Sequence, residues 1–144
     1  MYLLDVNVLL AAHRADHPHH SVVRRWFDGV VVGGAEYTVP DIVSAGFIRI
    51  STNRRIFANP TPMTDAFDFL ESVRAQPGHI ALVAGERSLE LFRAVCIDDQ
   101  ATGDLVPDAY LAALALERGC AVASLDRDFA RFRGVDWFDP SDSA

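Results

Sequence analysis

The chain has 144 residues, half of them hydrophobic and 23% charged, which is the composition of an ordinary globular protein. A domain of this length buries roughly 70% of its unfolded surface, so neither disulfides nor metals are needed for folding, and we expect one domain over residues 1–144. The formal net charge of −7 excludes an overall basic field for sequence-independent nucleic-acid binding.

The sequence predicts a cytoplasmic protein. Its apolar runs are shorter than the ~20 residues that span a bilayer, and the N-terminus lacks the basic region and cleavage site of a signal peptide. Cys96 and Cys120 lie far apart in apolar surroundings, which is typical of buried thiols in a reducing compartment.

The first part of the chain alternates strand and helix patterns. YLLDV predicts a strand, VLLAAHRA a helix that ends before Pro18, and HHSVVRRWFDGVV an amphipathic helix. YTVP is a strand or an extended connection, and Asp41 is placed to cap a helix over IVSAGFIRIS.

The second part continues the alternation after a loop in NRRIFANPTPM. Thr64 is placed to cap a helix over TDAFDFLESVRAQ, HIALVA predicts a strand, and ERSLELFRAV predicts a helix. Pro107 suits the first turn of the helix PDAYLAALALERG, Gly119 its end, and CAVASL predicts the last long strand. The alternation predicts an α/β fold with a mainly parallel sheet.

Four carboxylates stand out by position. Asp5 and Asp126 lie at predicted strand ends, where ligands collect in such folds. Asp108 lies in the first turn of a helix and Asp128 follows Asp126. Each of the last three also has a structural explanation, because Asp complements a helix dipole and is common in turns and caps. Asp5 lies between apolar residues that offer its carboxylate no partner, which favours a functional role.

Gathered carboxylates need a counter-cation. Two of them about 4 Å apart repel by roughly 4 kcal/mol at an effective dielectric constant near 20. Either their pKa values rise or a metal binds, and Mg²⁺ or Mn²⁺ suits an all-oxygen site. Such ions commonly serve phosphoryl transfer.

Three motifs in this order extend the argument: LLDVNVLL, VPDAYLAALALERG, and VASLDRDFARF with the short tail GVDWFDP. With these motifs the chain resembles the PIN-domain ribonucleases, and specifically the VapC-type toxins of toxin–antitoxin modules. The resemblance covers nearly the whole chain, including FIRISTNRRIF in the middle. The resemblance implies a PIN-like three-layer α/β/α sandwich and Mg²⁺- or Mn²⁺-dependent cleavage of RNA phosphodiester bonds by a metal-activated water. It also implies inhibition by a cognate antitoxin, and a homodimer.

The resemblance also assigns roles by position. The residues that it places at the catalytic metal site are Asp5, Asp108 and Asp126, with Asp128 as an additional metal ligand. Asn7 takes the place of a small polar residue that can hold Asp5 or a water, and Ser124 that of a small hydroxyl residue before Asp126.

One position departs from the family pattern. A Glu usually stands in the third helix where this chain has Gly46, and Asp41, five residues back, lies about 140° away around the helix. We therefore expect weaker binding of a second ion, and both one-ion and two-ion sites stay open. The alternative function is a catalytically weakened PIN-like module that binds antitoxin or RNA without cleavage.

Three further features have two interpretations each. Arg49, Arg54 and Arg55 can bind the RNA backbone, although Arg49 can instead form an internal salt bridge. Four histidines in HRADHPHH look like a zinc cluster, but Pro18 interrupts the helix that would align them, which favours a solvated loop. The helix face with Trp26 and Phe27 is a core face or a groove for an antitoxin helix.

Overall fold

The computed structural model describes residues 1–142, so the last two residues of the predicted 1–144 domain lie outside the described part. Four short strands are present: Tyr2–Leu4 (β1), Tyr37–Thr38 (β2), Ala121–Ala123 (β3) and Trp137–Phe138 (β4). Six helices accompany them: Val6–His13 (α1), His20–Val32 (α2), Asp41–Ser51 (α3), Met63–Arg74 (α4), Ser88–Asp98 (α5) and Val106–Arg118 (α6).

The four strands form one parallel sheet in the order β2-β1-β3-β4. Leu3 in β1 pairs with Thr38 on one side and with Val122 on the other, and all three are fully buried. Strands covered on both faces are apolar throughout, as β1 and β3 are. The predicted α/β fold with a parallel sheet is confirmed, and it brings the carboxyl ends of β1 and β3 side by side.

The helices cover the sheet. In this strand order, the connection from β1 to β2 and the connection from β2 to β3 cross the sheet in opposite directions. Because both crossovers are right-handed by rule, their helices lie on opposite faces of the sheet. On α2, Phe27 is buried and contacts the ring of Tyr37 edge to face. Trp26 makes edge contacts with Tyr2 and Phe138, so this part of α2 packs against the sheet as a core face.

The predicted strand over HIALVA is wrong. Its one ladder contact is an isolated parallel bridge between His79 and Tyr37 in β2. Beyond it the chain turns to α6 instead, because the Gly85 N–H donates to Glu117 at 3.1 Å and the Arg118 guanidinium to the Val83 carbonyl at 2.6 Å. A two-residue β2 offers too few backbone groups to pair a longer strand.

Two predicted helix caps are also wrong, although the helices are present. Pro40 and Pro62 occupy the N-cap positions of α3 and α4, and neither cap makes a side-chain hydrogen bond. Asp41 lies in the first turn of α3 and pairs with Arg74 at 3.5 Å, while Thr64 lies inside α4. The end of α6 is as predicted, with Gly119 in the left-handed conformation at φ 67°.

The tail GVDWFDP, in which we predicted no strand, contains β4. Within residues 1–142, no helix is both long enough and apolar enough to cross a membrane.

Candidate metal centre

Asp5 lies between β1 and α1 and is 7% exposed. Its Oδ1 accepts a hydrogen bond from the Val6 N–H at 2.7 Å, so it also caps α1. The sequence analysis missed this cap, although an Asp directly before the helical run VNVLLAAH is the usual N-cap signal. The cap gives one carboxylate oxygen a partner inside an otherwise apolar segment.

Ser124, directly after β3, joins the two strand ends. Its Oγ donates to Asp5 Oδ2 at 2.7 Å and accepts from the Asp126 backbone N–H at 3.0 Å. The Asn7 side-chain amide donates to the same Oγ at 3.0 Å, and Asn7 Oδ1 accepts from the Leu125 N–H at 3.0 Å. Asn7 therefore reaches Asp5 through Ser124, and the fully buried hydroxyl fixes Asp5 relative to Asp126.

Three further carboxylates lie together at this edge. One carboxylate oxygen each from Asp108, Asp126 and Asp128 lies within 4.8 Å of the others. Asp108 comes from the first turn of α6, and Asp126 caps the 3₁₀ helix Arg127–Arg131 by accepting from the Asp128 N–H at 2.9 Å. Asp5, Asp108 and Asp126 all line one cavity of about 490 Å³. The fold thus gathers Asp108, Asp126 and Asp128 into one possible ligand group and places Asp5 beside two of them in the cavity.

The neighbouring carboxylates make ionisation of Asp108 less favourable. Burial and the carboxylates of Asp5, Asp126 and Asp128 raise the pKa of Asp108 to about 7. Burial also raises the pKa of Asp5, against hydrogen bonds from Ser124 and Val6 that lower it. Full ionisation at neutral pH therefore calls for a cation at this site.

The donor set fits a hard divalent cation, because it consists of carboxylate oxygens converging from α6 and the turn after β3. Asp108, Asp126 and Asp128 would hold the ion, and Asp5 lines the same cavity. Within residues 1–142 the four histidines at the end of α1 and the start of α2 form no such group. His13 instead contacts Thr61 Oγ1 at 3.0 Å, and the His20 ring contacts the Ala11 carbonyl at 2.8 Å.

Gly46 faces α1. A Cβ built on Gly46 would lie 2.9 Å from Val6 Cγ2, closer than side chains approach, so α3 packs on α1 where the family pattern has a Glu side chain. Gly46 lines the cavity, and Asp41 is not among its lining residues. No acid of α3 therefore reaches this cavity.

Arg49 lines the same cavity from α3. Its side chain is exposed, and no ion pair to it occurs among residues 1–142, so the internal salt bridge considered above does not form there. Arg54 and Arg55 are exposed in the loop after α3 and do not line the cavity.

Comparison with known proteins gives consistent results. The family profile described as PIN domain matches residues 2–135. Ribonuclease VapC25 of Mycobacterium tuberculosis is 56% identical over 135 residues, covering 94% of this chain and 95% of the relative. VapC ribonuclease Mb2897 of Mycobacterium bovis is 42% identical, covering 99% of this chain and 97% of the relative.

Solved structures agree in fold. VapBC2 from Rickettsia felis, solved bound to a promoter DNA fragment, matches with a TM-score of 0.70 at 12% identity over 96% of this chain and 97% of that one. VapC20 of Mycobacterium tuberculosis, described as a sarcin-ricin loop cleaving toxin, matches with a TM-score of 0.66 at 14% identity over 90% and 93% of the two chains. By sequence and by fold, this chain belongs to the PIN-domain family and, within it, to the VapC group.

Proposed function

We propose that this chain is a metal-dependent endoribonuclease toxin that hydrolyses RNA phosphodiester bonds and is inhibited by a cognate antitoxin. The observation that carries the proposal is the convergence of one carboxylate oxygen each from Asp108, Asp126 and Asp128 within 4.8 Å. Two of these acids, Asp108 and Asp126, line a cavity together with Asp5. The two relatives described above, VapC ribonucleases at 56% and 42% identity over nearly the full length, support the same activity.

In this mechanism a Mg²⁺ or Mn²⁺ ion, when bound, supplies Lewis-acid chemistry that lowers the pKa of water and neutralises charge at phosphorus. The protein's own contribution is to hold the ligands in place. Ser124 orients Asp5 through its 2.7 Å hydrogen bond, and the Asp126 N–H donates to the same hydroxyl. Asn7 fixes that hydroxyl from the other side.

Among the residues that the structure describes, Arg49 is the basic group that lines the cavity, and we propose that it binds a phosphate of the RNA backbone. Arg54 and Arg55 in the neighbouring loop are proposed to contact phosphates farther along the strand. The partners proposed for the chain are therefore RNA, an antitoxin like that in the VapBC complexes, and a second copy of the chain in a homodimer. We place the protein in the cytoplasm, where RNA is available.

The sharpest test is Asp5→Asn. Asn is as good an N-cap as Asp, so the substitution removes the charge and leaves the helix cap in place. We expect RNA cleavage in Mn²⁺ to fall at least 100-fold, measured with a fluorescent RNA pool. Asp68→Asn, an exposed change of the same charge on α4, is the control and should cleave as the parent does. Parental cleavage by Asp5→Asn contradicts the assignment.

The competing function is binding of antitoxin or RNA without cleavage. It is favoured by the lining of the cavity, where α3 contributes Gly46 and no acid. Calorimetric titration with Mn²⁺ separates the two. The nuclease is supported if the parent cleaves RNA and its heat of Mn²⁺ binding disappears in Asp108→Asn. Absence of both supports the binding module.

A further inference from the structure

The backbone carbonyl of Ser124 needs a donor that the sheet does not supply. In the parallel ladder between β3 and β4, the Val122 N–H donates to the Asp136 carbonyl at 2.8 Å and the Ser124 N–H to the Phe138 carbonyl at 3.2 Å. The same register then calls for a bond from the N–H of residue 140 to the Ser124 carbonyl. Residue 140 is proline, which has no N–H, so the ladder leaves this acceptor open.

The side chain of Trp137 supplies the missing donor. Its indole N–H donates to the Ser124 carbonyl at 3.0 Å. Ser124 is fully buried and Trp137 is half-buried in β4, at the edge of the sheet. Because a buried carbonyl without a partner is costly, the fold favours a side-chain donor at this point. The indole thus takes the place of the backbone N–H that Pro140 lacks.

The same peptide group is also held by its N–H. The Leu125 N–H, which shares a peptide bond with the Ser124 carbonyl, donates to Asn7 Oδ1 at 3.0 Å. Because a peptide group is planar, bonds to its carbonyl and to its N–H together fix the orientation of the plane. Asn7 belongs to α1 and Trp137 to β4, so two separate elements hold this one plane.

The chain runs from this plane directly into two of the acids. Asp126 follows Leu125, and its carboxylate accepts from the Asp128 N–H at 2.9 Å, which ties the two acids to one turn. A rotation of the peptide plane would therefore turn both carboxylates relative to Asp108, which is fixed separately on α6. Removing a group that orients metal ligands through hydrogen bonds typically costs about 10–100-fold in metal affinity or activity.

We propose that Trp137 is a positioning residue of the metal centre. Its indole N–H, by holding the Ser124 carbonyl, sets where Asp126 and Asp128 present their oxygens to a divalent cation. Trp137 does not line the cavity, so it acts through the backbone and not by contact with the cation or the substrate. The inference rests on the proposed function, which supplies the cation.

The first experiment uses the unaltered protein. Trp26 and Trp137 are its two tryptophans, so a ¹⁵N-labelled sample gives two indole N–H signals, which Trp26→Phe assigns. Mg²⁺ is the probe, and calorimetry measures its dissociation constant independently. We expect the Trp137 indole signal to shift along the titration with that same constant. The Trp26 signal should stay nearly in place, because Trp26 packs on the rings of Tyr2 and Phe138 instead.

The second experiment removes the donor. Trp137→Phe keeps an aromatic ring and loses the N–H, and we expect it to weaken Mn²⁺ binding about 10-fold by calorimetry. The Mn²⁺ concentration for half-maximal RNA cleavage should rise by the same factor. Trp26→Phe is the matched control, because it removes the same atoms from a half-buried tryptophan that packs on aromatic rings, and it should keep the parental affinity.

A third protein separates the hydrogen bond from the packing. Benzothienylalanine, placed at residue 137 alone, keeps the size and shape of the indole and carries sulfur where Trp137 carries the N–H. We expect the same loss of Mn²⁺ affinity as in Trp137→Phe, because both lack the donor to the Ser124 carbonyl. A purely packing role predicts parental affinity for this protein.

The outcomes separate this inference from the proposed function. A Trp137 indole signal that ignores Mg²⁺, parental Mn²⁺ affinity in the benzothienylalanine protein, or an equal loss in Trp26→Phe each overturns the positioning role, even if the parent cleaves RNA. A parent that cleaves no RNA but shows the indole shift and the 10-fold loss retains the positioning role and refutes the nuclease. A parent that binds neither cation overturns both.

Discussion

At the scale of single residues, the site depends on how one buried hydroxyl is shared. Ser124 Oγ is within hydrogen-bonding distance of Asp5, Asn7 and the Asp126 backbone N–H. A hydroxyl has one donor and two acceptor lone pairs, so these three bonds use its full capacity. Its removal leaves all three partners without a bond that the fold has arranged for them.

We predict that Ser124→Ala lowers the free energy of unfolding by about 1–3 kcal/mol, because it leaves buried polar groups unpaired. It also raises the pKa of Asp5 further, since the hydrogen bond that favours the carboxylate is lost. Urea unfolding and Mn²⁺ calorimetry measure the two effects. Ser141→Ala, at a half-buried serine in the C-terminal turn, is the comparison, and equal effects from both variants would contradict the role of Ser124.

The raised pKa of Asp108 predicts how the free energy of unfolding depends on pH. Its folded pKa of about 7 lies above the ~3.9 of an unfolded Asp, so the folded state binds more protons between these values. The stability of the metal-free protein should therefore fall as the pH rises from about 4 to about 7. A divalent cation, which binds the ionised form, should raise Tm more at pH 8 than at pH 5.5.

The matching variant is Asp108→Asn. We expect it to raise Tm of the metal-free protein at pH 8 by about 3 °C, by removing one of the repelling charges, and to abolish the Mn²⁺-induced shift. Differential scanning fluorimetry with and without Mn²⁺ measures both. Asp104→Asn, an exposed change of the same charge in the preceding 3₁₀ turn, should keep the parental shift. An Asp108→Asn protein with a parental Mn²⁺ shift would disprove the ligand assignment.

At the scale of elements, the packing of α3 on α1 determines what stands beside the acids. Gly46 and Val6 meet so closely that a methyl group at residue 46 has no space. The same contact brings Arg49 and Ile42 of α3 to the cavity.

The contact between Gly46 and Val6 predicts that the effect of Gly46→Ala on the free energy of unfolding changes sign when Val6 is shortened to Ala. Gly46→Ala alone should destabilise by about 1 kcal/mol, because overpacking exceeds the gain in helix propensity. In a Val6→Ala background the clash is gone, and Gly46→Ala should then stabilise by up to about 1 kcal/mol. Denaturant unfolding of the four proteins in a double-mutant cycle measures the coupling. Additive effects would show that Val6 does not restrict position 46.

A second element-scale prediction concerns the loop that carries Arg54 and Arg55. Arg14, only 8% exposed, donates to Asp16 at 2.7 Å and to the Asn59 carbonyl at 2.9 Å, and its guanidinium stacks 3.7 Å from the Phe57 ring centre. These contacts tie the end of α1 to the loop after α3.

Arg14→Ala should cost about 2–3 kcal/mol, since it removes charge-assisted hydrogen bonds and buried packing together. Arg24→Ala is the control, because Arg24 makes an exposed i,i+4 pair with Asp28 on α2 that contributes at most about 0.5 kcal/mol. Urea unfolding compares the two, and similar losses would refute the loop anchor.

At the scale of the whole molecule, the net charge of −7 opposes binding of the proposed RNA substrate, which is itself an anion, unless a cation offsets it. We predict that affinity for single-stranded RNA in EDTA is at least 10-fold lower than in Ca²⁺. In addition, Arg54→Ala and Arg55→Ala should each reduce the slope of log K against log salt by about 0.7–1. Fluorescence anisotropy across a salt series measures both. Equal RNA affinity in EDTA and in Ca²⁺ would contradict the prediction that a cation must offset the negative charge of the protein.

The sequence by itself was enough to predict the helices and the α/β class, and it singled out the four acids that we propose as metal-site residues. Helix patterns repeat every few residues and end at local signals, as at Pro107 and Gly119 in α6. The motifs around Asp5, Asp108 and Asp126 were sufficient to recognise the family, because their order along the chain is specific.

Only the tertiary structure decided the features that depend on distant parts of the chain. HIALVA has strand composition, yet β2 is too short to pair it, whereas the unpredicted β4 finds Val122 and Ala123 in β3 as partners. The hydroxyl bridge from Ser124 to Asp5 joins residues 119 positions apart. Local propensity acts over a few residues, while pairing, burial and the gathering of charge depend on which segments meet in space.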